Sequence, residues 1–299
     1  MRVHAVINSR AGSVIDRSPV EIEAAVSWPF VNAGAEIDVE CVEPDALEQA
    51  IAKASRSNID VLLVGGGDGS VREAARHLMD KPAALGILPL GTFNRLARDL
   101  SIPLDLQLAA EALAKARTIA MDVGFVNDKI FLCNSLIGLP LHFTEERAAL
   151  RGKNLGMRMS GYLRVVRAML ASTRRIMLRL DDGQGERAFR AISVAVSNNA
   201  YDEAANFMFR RHRVDAGELA LYVSTHETGL RMAIAILRAM FGRWKGDPNI
   251  QHLRANSIFI NSRRRRVKVS NDGEVETMRL PLRYSIKPKS LRVLTPFIP

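Results

Sequence analysis

The chain has 299 residues, of which 47% are hydrophobic; its formal net charge is +10 and it holds two cysteines, Cys41 and Cys133. That length fits two domains or one large one, and the apolar content excludes wholesale disorder. Two cysteines exclude a disulfide framework or a cysteine-rich zinc site and fit a reducing compartment, while the basic balance draws phosphate-bearing partners: nucleotides, nucleic acid or anionic lipid headgroups.

The first eight residues carry too short an apolar run for a signal peptide. No stretch reaches 18 uncharged apolar residues; the longest candidate, 229–241, contains Arg231 and Arg238. The expectation is a cytoplasmic protein whose membrane contact is peripheral.

In chain order, residues 3–8 read as a strand and 19–32 as a helix interrupted near Pro29. Residues 36–42 read as a second strand. A helix over 45–55 follows, capped by Asp45 with Glu48 at capping-box spacing. Residues 59–64 are a third strand, followed by a glycine turn and a helix to about Met79. A strand over 85–88 and a helix over 106–116 complete the series. Strand and helix alternate, so the expected sheet is mostly parallel and covered by helices. From about residue 121 short β-like runs take over, at 129–133, 175–180, 191–197, 219–224, 257–260 and 267–270. Helical stretches near 155–172 and 229–241 interrupt them. This predicts a nucleotide-binding α/β domain over 1–122 and a β-rich domain over 123–287, with the tail 288–299 returning to the first.

The run Gly65-Gly66-Gly67-Asp68-Gly69-Ser70 sits between the third strand and its helix. Glycines let a backbone approach an anion closely, and a helix start offers N–H donors and partial positive charge. Asp68 either holds Mg²⁺ against nucleotide phosphates or simply caps the helix. A second junction, Pro89-Leu90-Gly91-Thr92-Phe93-Asn94-Arg95-Leu96-Ala97-Arg98, follows the fourth strand. Thr92 is placed to cap a helix or to donate to a phosphate, and Asn94, Arg95 and Arg98 add polar and cationic groups. Near the end, Asn271-Asp272-Gly273-Glu274 reads either as a hairpin turn or as a carboxylate pair serving as base and metal ligand.

Together these motifs make the chain resemble the diacylglycerol kinase catalytic-domain family of lipid kinases, which includes sphingosine and ceramide kinases and soluble bacterial lipid kinases. Its GGDG(T/S) motif matches Gly66–Ser70, and its PxGTxNxxAR motif matches Pro89–Arg98. The likeness extends to Asp122-Val123-Gly124, to Asp272-Gly273-Glu274 and to the closing stretch 288–296. The resemblance implies an α/β N-terminal domain similar to those of NAD kinases and phosphofructokinases, followed by a β-sandwich-type C-terminal domain. It implies ATP as donor and Mg²⁺ as cofactor. The nucleotide contacts would be Asn8, Ser9 and Arg10 after the first strand, Gly65, Gly66, Gly67, Asp68, Gly69 and Ser70, and Thr92 with Asn94. Asp68, Glu274 and Asp122 would face metal. Asp272 and Glu274, with Asp68, would carry catalysis, either of the first two acting as base.

The implied substrate is a hydroxyl-bearing lipid, diacylglycerol-like or sphingoid, at an anionic membrane surface. Some members hold a structural Mg²⁺ through an Asp-rich segment. Here Ala216 and Arg213 replace expected ligands, so that second site is expected to be absent despite Asp215 and Glu218. Glu40 stands where relatives often have Thr near the nucleotide. Basic stretches at Arg147, Arg151, Lys153, Arg158, Arg164 and Arg167, and at Arg263–Arg266, are either membrane-facing or solvated. Two other readings compete: an NAD kinase-like enzyme, against which the Pro89–Arg98 motif argues, and a non-catalytic basic nucleotide- or nucleic-acid-binding regulator. With 6% aromatic residues and no nucleic-acid motif, no stable nucleic-acid partner is expected. The acceptor lipid and the oligomeric state, a homodimer included, stay open.

Overall fold

A computed structural model describes residues 1–138, 167, 170, 175–181, 185–202, 210, 211, 213–240 and 247–296. Apart from residues 167 and 170, the helix expected over 155–172 and its basic flank from Arg147 to Arg164 lie outside these. The chain divides into two compact units, Met1–Val123 with Pro288–Pro299, and Gly124–Lys287.

The first unit is an α/β domain. Its strands are β1 (Arg2–Asn8), β2 (Glu36–Val42), β3 (Val61–Gly66) and β4 (Ala84–Pro89), in the parallel order β2-β1-β3-β4. The end of the last strand, β16 (Leu282–Thr295), joins beside β4, Val293 pairing in parallel with Leu85. Every residue of β3 and β4 is buried. A strand covered on both faces needs a continuous apolar run, which both have. The helices are α1 (Pro19–Asn32), α2 (Leu47–Ala54), α3 (Asp68–Leu78), α4 (Arg95–Asp99) and α5 (Leu106–Ala114). α1 packs with α5, and α2 with α3. Right-handed crossovers require this division, because the path steps one way from β1 to β2 and the other way afterwards. That reversal makes a topological switch point between β1 and β3, where such sheets bind ligands.

Two helix readings need correction. α1 is continuous through Pro29. The proline lies in the last turn, where a missing N–H removes one bond and leaves the rest of the helix intact. Its capping box is Ser18 with Glu21, whose carboxylate accepts from the Ser18 N–H at 2.7 Å. The predicted box at Asp45 and Glu48 does not form. A 3-10 turn over Pro44–Ala46 precedes α2, whose N-cap is Ala46. Glu48 instead pairs with Arg76 of α3 at 3.2 Å.

The second unit is a β-sandwich. One sheet has six antiparallel strands in the order β12-β11-β10-β7-β14-β15. These are β7 (Asn134–Gly138), β10 (Ser193–Asn198), β11 (Leu219–Ser224), β12 (Ile250–Ala255), β14 (Arg266–Asn271) and β15 (Glu274–Arg279). Facing it are β8 (Ile176–Asp181), β9 (Glu186–Ala191), β13 (Ser257–Asn261) and the start of β16, with the hairpin of β5 (Arg117–Val126) and β6 (Lys129–Phe131). Alternating side chains such as Val196, Leu221 and Val269 meet Leu180, Ile260 and Tyr284 in one core. The Tyr284 hydroxyl is sealed in with Ser135 Oγ at 3.0 Å. Burial pushes its pKa up despite that bond. Between β11 and β12 the chain makes one helical excursion, α6 (Gly229–Met240). Among the described residues no helix is long and apolar enough to cross a membrane.

Candidate active site

In the first unit three chain reversals lie at one level, because register places Ile7 beside Gly65, and Gly66 beside Pro89. After β1, Asn8 Oδ1 accepts from the Arg10 N–H at 2.9 Å, closing an Asx turn. Glu43 accepts from Ser9 Oγ at 3.1 Å and from Arg10 Nε at 3.2 Å. The Ser13 hydroxyl donates to Leu90 O at 3.3 Å, tying this turn to the one after β4.

The two glycine turns touch backbone to backbone. Leu90 N–H donates to Gly66 O at 3.1 Å. A Cβ on Gly91 would lie 2.5 Å from Gly67 Cα and 2.9 Å from Asn94 Oδ1, so only glycine fits. Asp68 is the first residue of α3, following the N-cap Gly67, which supplies no side-chain cap. The acid is therefore the first helical residue and not the N-cap. Its Oδ1 accepts the Arg95 N–H at 2.7 Å, locking the start of α4 onto the start of α3.

Asn94 is the N-cap of α4 in the left-handed conformation, φ 48°, and is buried. Its Oδ1 accepts from Gly91 N–H at 2.9 Å, and its Nδ2 donates to Pro89 O and Gly91 O at 2.9 and 2.8 Å. Both amide hydrogens are spent within the turn, so Asn94 shapes the loop from inside. Thr92 is exposed and is not the cap of α4.

In the second unit, Asp272 and Gly273 form the two-residue loop between β14 and β15, with φ 49° and 93°. Positive φ at both positions is what a type I′ hairpin demands. The Asp272 carboxylate is 6% exposed. It accepts from the N–H groups of Leu132, Cys133 and Asn134 at 2.7, 2.8 and 3.0 Å. Arg211, also buried, braces that turn by donating to Leu132 O at 2.7 Å. The sequence reading missed Leu132, Cys133, Asn134 and Arg211; their role comes from backbone groups and tertiary approach, which leave no local motif. Glu274, by contrast, is exposed at the first position of β15.

Asp122 is fully buried in β5, its Oδ1 accepting from the Lys289 N–H at 2.8 Å. It braces the return of β16 and is closed to solvent. Among the described residues no three His, Cys, Asp or Glu side chains group around an ion position. In the segment expected to lack a second metal, Arg213 Nε bonds Asp215 Oδ1 at 3.1 Å and Arg254 pairs with Glu218 at 3.1 Å. Glu40 lies 3.5 Å from His4 Nε2. Arg167 and Arg263–Arg266 are exposed.

Residues 2–126 match the family described as the diacylglycerol kinase catalytic domain, and residues 148–295 the one described as the YegS C-terminal NAD kinase beta sandwich-like domain. Over 92 residues the chain is 38% identical to a Yersinia enterocolitica protein named "Probable lipid kinase YegS-like", a stretch covering 29% of this chain and 31% of that protein. A Klebsiella pneumoniae protein of the same name is 39% identical over 90 residues, 29% of this chain and 30% of the relative. The matched stretch thus spans under a third of these curated relatives. The crystal structure of a diacylglycerol kinase from Bacillus anthracis str. Sterne superposes with a TM-score of 0.72 over 98% of this chain and 96% of that one, at 19% identity, a likeness of fold.

Proposed function

Since the chain belongs to the diacylglycerol kinase catalytic-domain family, we propose that it is an ATP- and Mg²⁺-dependent lipid kinase, phosphorylating a hydroxyl of a diacylglycerol-like or sphingoid lipid at a membrane surface. The observation that carries this reading is the placement of Asp68. It sits where the two glycine turns meet, at adjacent strand ends beside the switch point, with one carboxylate oxygen holding Arg95 N–H.

Phosphoryl transfer asks for positioning, charge neutralisation and an acceptor for the hydroxyl proton. The chain fits the first two: close-packed glycine backbone fills the turns, and α3 opens on Gly67, an N-cap with no side chain to cover the helix start. Mg²⁺ commonly takes one or two protein carboxylates and completes its shell with phosphates and water, so Asp68 suffices without a cage; when bound, the ion would neutralise phosphate charge. Thr92 has an exposed hydroxyl to donate to phosphate. The turn after β1, pinned by Glu43, supports the nucleotide side. For the proton acceptor, Glu274 is better suited than Asp272: Glu274 is exposed, whereas Asp272 is enclosed and committed to three backbone donors. Asp272 then acts as a positioning residue that fixes the turn bearing Glu274.

The test is transfer of label from γ-labelled ATP to a panel of diacylglycerol, sphingoid and glycerophospholipid acceptors, with NAD⁺ as a further acceptor. Asp68→Asn retains an oxygen for Arg95 N–H but loses the charge. Label should enter a lipid with the wild type and vanish with D68N at unchanged folding. Protein that binds ATP yet labels no lipid class overturns the proposal, and label in NAD⁺ replaces it with the NAD kinase reading.

A further inference from the structure

α6 carries two apolar faces. Met232 and Ala235 are buried. Leu230, Ile234 and Leu237 are 51%, 43% and 56% exposed. Their spacing of i, i+4 and i+7 brings them within about 60° of one another around the helix axis, opposite the buried pair. Isolated surface leucines need no explanation, but a line of three along one helix does. An outward stripe gains little from folding, because the buried residues lie on the other face.

The flank beside the stripe carries two arginines, of which Arg231 pairs with the exposed Glu227 just before the helix at 2.8 Å, so the flank keeps a net positive charge. Arg231 and Arg238, both exposed, stand seven residues apart and so on nearly the same line. The twelve residues of α6 include no acid. The helix is also firmly mounted. Thr228 Oγ1 accepts from Arg231 N–H at 3.3 Å, capping its start. Thr225 donates from N and Oγ1 to Asn249 O at 2.8 and 3.1 Å, closing the base of the excursion. His226 bridges Ser224 Oγ at 2.9 Å and Asp247 Oδ2 at 3.2 Å in the same base. A helix already ordered and clamped loses little conformational freedom on docking.

We infer that α6 is the membrane-docking element: it lies in the plane of an anionic bilayer, sinks Leu230, Ile234 and Leu237 below the headgroups, and sets Arg231 and Arg238 among lipid phosphates. Charge decides for this occupant. An apolar stripe with a cationic flank complements an anionic bilayer interface, where apolar burial and electrostatic attraction add. The inference rests on the reading that the acceptor is a membrane lipid, and extends it by naming the surface that meets the membrane.

The experiment is co-sedimentation of the full chain with vesicles of equal parts phosphatidylglycerol and phosphatidylcholine, and with phosphatidylcholine alone. Kinase activity on a detergent-dispersed short-chain acceptor is measured in parallel. Ile234→Gln with Leu237→Gln should weaken partition into the anionic vesicles by about tenfold. Arg231→Gln with Arg238→Gln should weaken it on anionic vesicles and leave the already weak neutral-vesicle binding unchanged. Both variants should match the wild type on the dispersed acceptor. Wild-type partition by I234Q/L237Q overturns the docking surface even if lipid phosphorylation persists. Vesicle binding that depends on α6 without any lipid phosphorylation instead sinks the kinase reading and leaves the surface standing. If I234Q/L237Q converts a dimer to a monomer in sedimentation velocity while vesicle binding is unchanged, the stripe meets a second copy and the inference is wrong.

Discussion

Replacing Asp272 by Asn isolates the hydrogen bonding of the acidic turn. Asparagine keeps the side chain's shape and tolerates the φ of 49° found here. Only the charge and one acceptor change. Asp272 Oδ2 serves Leu132 N–H, while Oδ1 serves both Cys133 and Asn134. The better amide orientation keeps oxygen on the doubly used side, so the new NH₂ faces the Leu132 N–H, donor against donor. A buried N–H left without an acceptor costs about 1–3 kcal/mol. The two surviving bonds also lose their charge assistance. D272N should therefore lose about 2–4 kcal/mol, a large share of a typical ~5–15 kcal/mol. Urea unfolding followed by far-UV circular dichroism reads this directly. At a slope of about 2 kcal/mol per M, the midpoint should fall by roughly 1–2 M. Glu274→Gln is the control: an exposed position should shift stability by no more than about 0.5 kcal/mol. Its lipid phosphorylation should nevertheless drop by roughly 10²–10⁴. If D272N unfolds with the wild type while losing activity, Asp272 is a reacting group and not a brace, and the assignment of roles is refuted.

Gly91→Ala should separate the two glycine turns, since its Cβ would lie 2.5 Å from Gly67 Cα; a loss of about 1–3 kcal/mol is expected, with weakened ATP binding by calorimetry. Asn94→Ala removes three bonds and forces alanine into φ 48°, so it should cost about 2–4 kcal/mol in chemical unfolding. For Asp247, burial opposes the ionised form, but the Asn249 N–H and the neighbouring His226 outweigh it and hold the carboxyl below the usual carboxylate range. A depressed folded-state pKa contributes stability above the unfolded value and loses it as pH falls through the folded one. The wild-type melting temperature should thus exceed that of Asp247→Asn at neutral pH, and the gap should close on acidification below about pH 4; parallel profiles would contradict the linkage.

The sequence by itself determined the alternation of the first unit. The apolar runs of β3 and β4 are too continuous for one-sided strands, and the glycines that follow mark the strand-to-helix turns. It also picked out Asp68 and the Asp272–Glu274 turn, because glycine, acid and hairpin signals are local. It misjudged what depends on neighbours in space. Glu48 has the spacing of a capping residue but pairs with Arg76 across the helix gap. Asp122, Asp272 and Glu274 look alike as carboxylates in a sequence. The folded chain buries the first against Lys289 N–H, wraps the second in three backbone amides and leaves the third exposed. That division rests on which backbone N–H groups arrive at each side chain. A backbone donor has no residue type, so tertiary structure alone decides which acid is a brace and which faces solvent.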